Sequence, residues 1–200
     1  GTDQPAKVVV VQRDSVNSGW KVDVINSGKS VIGGIEPELD EVTHAAVAAG
    51  TLSASSDFSV LSDADVILVS VQTDKNENGF EPDYGPMFGA LEKLGEALKS
   101  KPAQKIPLVI FESTLAPTTM DTLFREHFKK YGLEEGRDIL LGNSPNRVMP
   151  GRLVERIRES DKLAGGLHPE TPKLISKLYR HIVTKGEVFE TNSLTAEIVK

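Results

Sequence analysis

The chain has 200 residues, with 23 Lys+Arg against 29 Asp+Glu and a formal charge of −6. A net acidic surface argues against non-specific nucleic-acid or anionic-membrane binding, and no apolar run approaches the length of a membrane span. Cysteine is absent, which excludes disulfides, thiolate metal sites and a cysteine nucleophile within this stretch.

The first element is Lys7-Val-Val-Val-Val-Gln-Arg13, a short β-branched run that predicts a strand buried on both faces. Residues 20–25 fit a strand or a helix equally. Pro37 suits a helix's first turn, Leu39, Val42, Ala46 and Val47 carry helical spacing, and Gly50 stops it. A short strand is expected at 51–53 and a helical turn at 60–61. Asp65-Val-Ile-Leu-Val-Ser-Val71 is the second buried strand, followed by a polar loop. Residues 84–98 form a helix with Met87, Leu91, Leu94 and Leu98 on one face. Ile106-Pro-Leu-Val-Ile-Phe111 is a third buried strand, and 117–131 a helix through Leu123, Phe124 and Phe128. A fourth strand at 138–142 leads into Ser144-Pro-Asn-Arg-Val-Met-Pro-Gly151. Strands at 161–166 and 186–189 flank a helix at 169–182, and Ser193 caps a last helix that carries Glu197 and ends in Lys200.

Strands alternating with helices predict an α/β domain with a mainly parallel sheet. Ligands of such sheets bind beyond the carboxyl ends of the strands, which brings Thr73 and Thr114 near a site. Their hydroxyls can donate to a ribose, an amide or a substrate oxygen; Ser and Thr also form turns, and spacing leaves both roles open. The loop after the fourth strand carries Arg147 and Arg152 between two prolines and a glycine. Fixed guanidinium groups suit diphosphate or carboxylate recognition, and pairing with Glu155 or Glu159 is the alternative. His44, His127, His168 and His181 show no metal-ligand spacing, and there is no Gly-x-Gly-x-x-Gly fingerprint.

Taken in order, Ile25-Asn-Ser-Gly-Lys-Ser with Glu36-Pro-Glu-Leu39, Ala64-Asp-Val with Val71-Gln-Thr73, Glu112-Ser-Thr114, Ser144 to Gly151, Ala164-Gly-Gly166 and Ala196-Glu-Ile-Val-Lys200 form a recognisable set. Over essentially the whole chain the sequence resembles the nucleotide-sugar 6-dehydrogenases, the family of UDP-glucose and UDP-N-acetylmannosamine/galactosamine dehydrogenases. The resemblance implies a Rossmann-like, doubly wound fold and oxidation of a sugar C6 alcohol to a carboxylate with two NAD⁺ in succession, a reaction of polysaccharide biosynthesis. It further implies a UDP-sugar substrate, a homodimer in the full-length enzyme, a cytoplasmic setting, and no nucleic-acid or membrane partner. The Arg-Val-Met-Pro-Gly pattern is similar to the branch acting on 2-acetamido sugars, so a UDP-N-acetylhexosamine is expected over UDP-glucose.

Carried over residue by residue, Thr73 and Thr114 would lie against NAD, Thr114 also near the reacting carbon. Lys200 would stabilise the oxyanion that develops at C6. Asn146, Arg147 and Glu197 would bind substrate. The family opens with a strand and glycine-rich turn, a unit of roughly 30 residues that has no counterpart here, so Lys7–Arg13 would be its second strand. Arg13 or Asp14 would then reach the adenine ribose; Arg13 could instead favour a 2′-phosphate, leaving NAD and NADP both open. The resemblance predicts a partial NAD-binding domain at 1–190 and the start of a connecting helix at 191–200. Three departures stand out. Asn146 replaces the usual Glu, Pro117-Thr-Thr119 stands where the family usually has Pro-Gly-Thr-Thr, and the first strand with its glycine-rich turn and the family's catalytic cysteine have no counterpart. By itself, then, the chain is expected to lack the covalent chemistry. The rival expectations are a non-catalytic α/β nucleotide-binding or regulatory domain, and a 2-hydroxyacid-type dehydrogenase sharing only the fold.

Overall fold

The computed structural model describes residues 6–200 except 78, 80, 102–104 and 147. In chain order the elements are β1 (Val8–Val11), α1 (Trp20–Asn26), α2 (Leu39–Ala48), β2 (Leu52–Ser55), a 3₁₀ turn (Phe58–Asp63), β3 (Val66–Val69), β4 (Asp74–Lys75), β5 (Pro82–Asp83), α3 (Gly85–Lys99), β6 (Leu108–Phe111), a π-helical turn (Met120–Phe124) continuing as α4 (Arg125–Lys129), β7 (Leu140–Asn143), α5 (Leu153–Glu159), β8 (Lys162–Gly166), α6 (Thr171–Tyr179), β9 (Val188–Asn192) and α7 (Ser193–Val199). They divide into two compact units, one of residues 1–58 and 148–157, the other of 59–147 and 158–200.

In the first unit β1 pairs in parallel with β2, Val8 opposite Leu52. The expectation of a strand buried on both faces is corrected here: Val8 is 52% and Val9 43% exposed, because β1 has a neighbour on one side only. Residues 20–26 resolve as a helix, and Pro37 precedes α2 rather than opening it, with Glu38 as the N-cap in the left-handed region. The Asn26 side chain bonds both ways with the Ala54 peptide, Nδ2 to O at 3.0 Å and Oδ1 from N–H at 2.7 Å. This locks α1 to β2. Glu36 accepts the Gly151 and Leu153 amides, satisfying orphan donors at the start of α5. Arg152 pairs with Glu155 at 3.5 Å, the alternative left open by its sequence position.

The second unit is built on a five-stranded sheet of order β3-β6-β7-β8-β9. The β3–β6 and β6–β7 pairs are parallel, β8 is antiparallel to β7, and β9 is parallel to β8. Strand β6, flanked on both sides, is buried throughout, as its unbroken apolar run predicts. Edge strand β3 is half-buried instead, with Val66 and Leu68 exposed. Met87, Leu91, Leu94 and Leu98 of α3 pack with Phe111, Phe124 and Phe128 in the main core. Leu108 and Ile110 face the other way, toward Ile175 and Tyr179 of α6. The helix expected at 117–131 begins as a π turn at Met120, and Leu123 is exposed.

His127 is buried in this core, its ring 5.3 Å from those of Phe88 and Tyr131. Burial holds its pKa below the ordinary 6.5, against a hydrogen bond to the Leu91 carbonyl. A depressed pKa means that folding disfavours the proton, so His127 supports the fold above pH 6.5 and loses that contribution as pH falls through its folded value. Thermal stability is therefore expected to drop on going from pH 7 to 5, and less so in His127→Gln. Melting curves at both pH values check this; parallel losses in the two proteins would count against it.

Candidate functional site

The site is built where β3, β6 and β7 end. Beyond β3 the chain runs through Ser70, Val71 and Gln72 to Thr73; beyond β6 it runs through Glu112 and Ser113 to Thr114. Side chains cross-tie these two ends. Thr73 Oγ1 donates to the Thr114 carbonyl at 2.9 Å, and Ser113 Oγ donates to the Val71 carbonyl at 2.5 Å. Parallel neighbours need such ties because ladder pairing stops at Val69 and Phe111. Thr73 is half-buried and Thr114 exposed, so the Thr114 hydroxyl faces solvent at the mouth while its backbone is held.

Two groups fix the segment after Thr114. The Tyr84 hydroxyl accepts the Ala116 amide at 2.8 Å and lies 3.1 Å from Thr119 Oγ1. Glu197, 5% exposed, accepts the Thr118 amide at 2.7 Å on one oxygen and the Met120 amide at 2.8 Å on the other. A carboxylate there satisfies orphan donors of the helix start and meets the positive end of its dipole. Each oxygen of Glu197, expected from the resemblance to bind substrate, accepts a backbone amide in this structure. Burial pushes its pKa up, and the two amides oppose that.

Between these supports Thr118 sits at φ 74°, a left-handed conformation that β-branched residues resist. Relief of about 1–2 kcal/mol of left-handed strain, less about 0.5–1 kcal/mol for glycine's unfolded-state entropy, predicts that Thr118→Gly raises stability by roughly 0.5–1 kcal/mol. Denaturant melts check it, and a loss of stability would show that the threonine side chain makes up for the strain.

Beyond β7, the Ser144 amide bonds the Phe111 carbonyl at 2.9 Å and the Asn146 amide bonds the Glu112 carbonyl at 3.0 Å. Lys200 Nζ donates to the Asn146 carbonyl. The last helix thus delivers its cation to the same strand ends. It does so because α7 lies close on β8: a Cβ on Gly165 would come within 2.5 Å of Asn143 Oδ1 and 2.6 Å of Ala196 Cβ. Asn143 Nδ2 also donates to the Ser193 carbonyl at 3.2 Å. The cap of α7 is Asn192, whose Oδ1 accepts the Thr195 amide at 2.8 Å, and not Ser193 as expected. Residues 193–200 belong to the second compact unit.

Sequence reasoning missed a buried cluster under this mouth. Glu112 Oε1 accepts from Tyr179 Oη at 2.6 Å and from Lys162 Nζ at 3.2 Å, and Ser70 Oγ donates to Oε2 at 3.1 Å. The ammonium lies 4.5 Å from the Tyr179 ring centre. Burial first, then the Glu112 charge, pushes the Tyr179 pKa far up, so it serves as a permanent donor. Because β8 is antiparallel, its first residue, Lys162, lies at the same end of the sheet as the carboxyl ends of β6 and β7. Arg13 and Asp14 lie in the first unit, exposed, just past β1. Arg147 falls outside the described residues. No group of His, Asp and Glu suited to a metal occurs among the described residues.

Half-buried Thr73 and exposed Gln72 and Thr114 lie past the carboxyl ends of parallel strands, the place where such sheets bind dinucleotides. Residues 3–183 match the UDP-glucose/GDP-mannose dehydrogenase family, NAD binding domain. The chain belongs to that family. Its cofactor is NAD, and the Rossmann-type architecture is that of its structural neighbours. The UDP-N-acetyl-D-mannosamine dehydrogenase of Pyrococcus horikoshii is 35% identical over 176 residues, which is 88% of this chain and 40% of that protein. The crystal structure of NDP-N-acetyl-D-galactosaminuronic acid dehydrogenase from Methanosarcina mazei superposes with TM-score 0.89 at 34% identity, covering 97% of this chain and 40% of that one. A ternary complex of GDP-mannose dehydrogenase from Pseudomonas aeruginosa gives TM-score 0.87 at 25% identity, covering 98% and 43%. The chain thus spans about 40% of the length of these relatives. No helix among the described residues is long and apolar enough to cross a membrane.

Proposed function

We propose that in the full-length protein this chain is the cofactor-holding part of a nucleotide-sugar dehydrogenase that oxidises the C6 alcohol of a UDP-N-acetylhexosamine to a carboxylate. The supporting observation is the gathering of Thr73, Thr114 and Lys200 at one end of one sheet: Thr73 bonds the Thr114 carbonyl, and Lys200 bonds the Asn146 carbonyl. NAD, when bound, supplies the two-electron acceptor for each of two oxidations. Thr114 would hold its nicotinamide end by hydroxyl donation and Thr73 by accepting at its hydroxyl oxygen, and Arg13 or Asp14 is proposed for the adenine ribose. The Thr114 hydroxyl would orient the substrate oxygen or the water consumed in the second oxidation. The Lys200 ammonium would stabilise negative charge on the C6 oxygen as its proton leaves. Arg147 is proposed for the substrate diphosphate, and Asn146 for a sugar hydroxyl. The nucleophile lies outside these 200 residues, which contain no cysteine.

The names of two relatives, the UDP-N-acetyl-D-mannosamine dehydrogenase of P. horikoshii and the UDP-N-acetyl-D-glucosamine 6-dehydrogenase of P. aeruginosa, support a 2-acetamido sugar over glucose. A homodimer is proposed on the family resemblance alone, and sedimentation of the full-length protein would read it. The deciding assay is NADH formation by the full-length protein with UDP-N-acetylmannosamine, UDP-N-acetylgalactosamine and UDP-glucose. Turnover is expected with an acetamido sugar, and none with any of the three ends the enzymatic proposal. A non-catalytic nucleotide-binding domain is the second reading, favoured by Asn146, since an amide cannot act as a carboxylate base. NAD binding without turnover would select it.

A further inference from the structure

The Glu112–Lys162 pair stands apart from the other ion pairs among the described residues, which lie at the surface. Its side chains are 16% and 8% exposed. Burying two charges costs more than burying apolar groups of the same shape, and such a pair is weak evidence for stability. Its location suggests another use. Both Glu112 carboxylate oxygens are engaged, one by Tyr179 and Lys162, the other by Ser70, so the side chain is held from β3, β8 and α6 at once. The Glu112 peptide is held as well: its amide bonds the Val69 carbonyl at 3.0 Å, and its carbonyl takes the Asn146 amide at 3.0 Å. The Asn146 carbonyl in turn takes Lys200 Nζ. A continuous chain of polar contacts therefore runs from a buried anchor to the exposed cation at the mouth.

We propose that Glu112, Lys162 and Tyr179 are positioning residues that hold the Asn146 peptide, and through it Lys200, in place beside Thr114. The assignment rests on the dehydrogenase reading of this site for its catalytic consequence, though not for its structural one.

The test uses the full-length protein and the paired variant Glu112→Gln/Lys162→Met, which removes both charges and keeps their shapes. Amide hydrogen exchange reads local opening. Exchange of the peptide spanning 143–147 is expected to rise by about tenfold or more, with α3 protection unchanged. A displaced cation is expected to cost about tenfold in kcat with KM for NAD⁺ within about twofold, because misplacement harms orientation before it harms binding. Lys162→Arg, which keeps the charge, is expected to restore kcat to within about threefold of the unmodified protein. Should the paired variant fail to fold, Tyr179→Phe, which loses a single hydroxyl, carries the same readouts. Unchanged exchange at 143–147, or a uniform loss of protection that includes α3, overturns the proposal. Absence of turnover in the unmodified protein refutes the dehydrogenase reading alone, and exchange then decides the positioning role.

Discussion

Lys200→Ala in the full-length protein is expected to lower kcat about 10²–10³-fold, the usual cost of deleting one preorganised group aimed at developing oxyanion charge, while NAD⁺ affinity stays within about twofold. The reasoning starts from placement. Lys200 ends a helix whose small residues let it lie against Gly165, and its ammonium bonds the Asn146 carbonyl. A cation held at the strand ends is most useful when negative charge develops nearby. Such a group contributes more to the transition state than to ground-state binding. Lys200→Arg moves the charge outward and is expected to recover only part of the loss. Steady-state kinetics together with NAD⁺ titration check both statements. Equal losses in turnover and NAD⁺ binding would show that Lys200 is a cofactor ligand, and no loss would remove it from the site.

The parts of this arrangement carried by single strong patterns were legible in the sequence. The unbroken run of β6 predicted its burial, and the 3.6-residue spacing of Met87, Leu91, Leu94 and Leu98 predicted the core face of α3. Thr73 and Thr114 were expected together because parallel strands end at one side, and they are hydrogen-bonded. Features set by neighbours were not legible. The run of β3 looks like that of β6, yet Val66 and Leu68, on one face, are exposed while Ile67 and Val69, on the other, are buried, because whether a face is covered is not written in the strand's own composition. Nothing in Lys162-Leu-Ala-Gly-Gly166 announces that β8 runs antiparallel, yet that direction is what brings Lys162 to Glu112. A signal did exist: unlike charges adjoin two apolar strands, Glu112 after Phe111 and Lys162 before Leu163, and buried charges seek partners. The two-residue strands β4 and β5 are too short to show a period. The cap of α7 shifted by one residue because Asn192 and Ser193 are equally good caps, and propensity alone does not choose between them.

Glu197→Ala is expected to destabilise the second unit by roughly 2–4 kcal/mol, since each of two backbone amides left buried without an acceptor costs about 1–3 kcal/mol. The loss should appear as a lower denaturation midpoint, and as faster exchange at Thr118 and Met120 before other amides. Glu197→Gln keeps one carbonyl oxygen and should cost about half as much at neutral pH. The pH dependence separates these effects. Burial raises the folded pKa of Glu197 above its ordinary 4.5, so folding favours the protonated acid. The associated stability is fully present below pH 4.5 and is lost as pH rises through the folded value. The stability gap between the unmodified protein and Glu197→Gln should therefore widen as pH falls into that window. Kinetics discriminate further. Loss of a carboxylate that caps a helix lowers the folded fraction and leaves the sugar KM of folded molecules nearly unchanged, whereas loss of a substrate ligand raises that KM directly. A large KM increase in Glu197→Gln without loss of stability would return the residue to the substrate and deny the cap its importance.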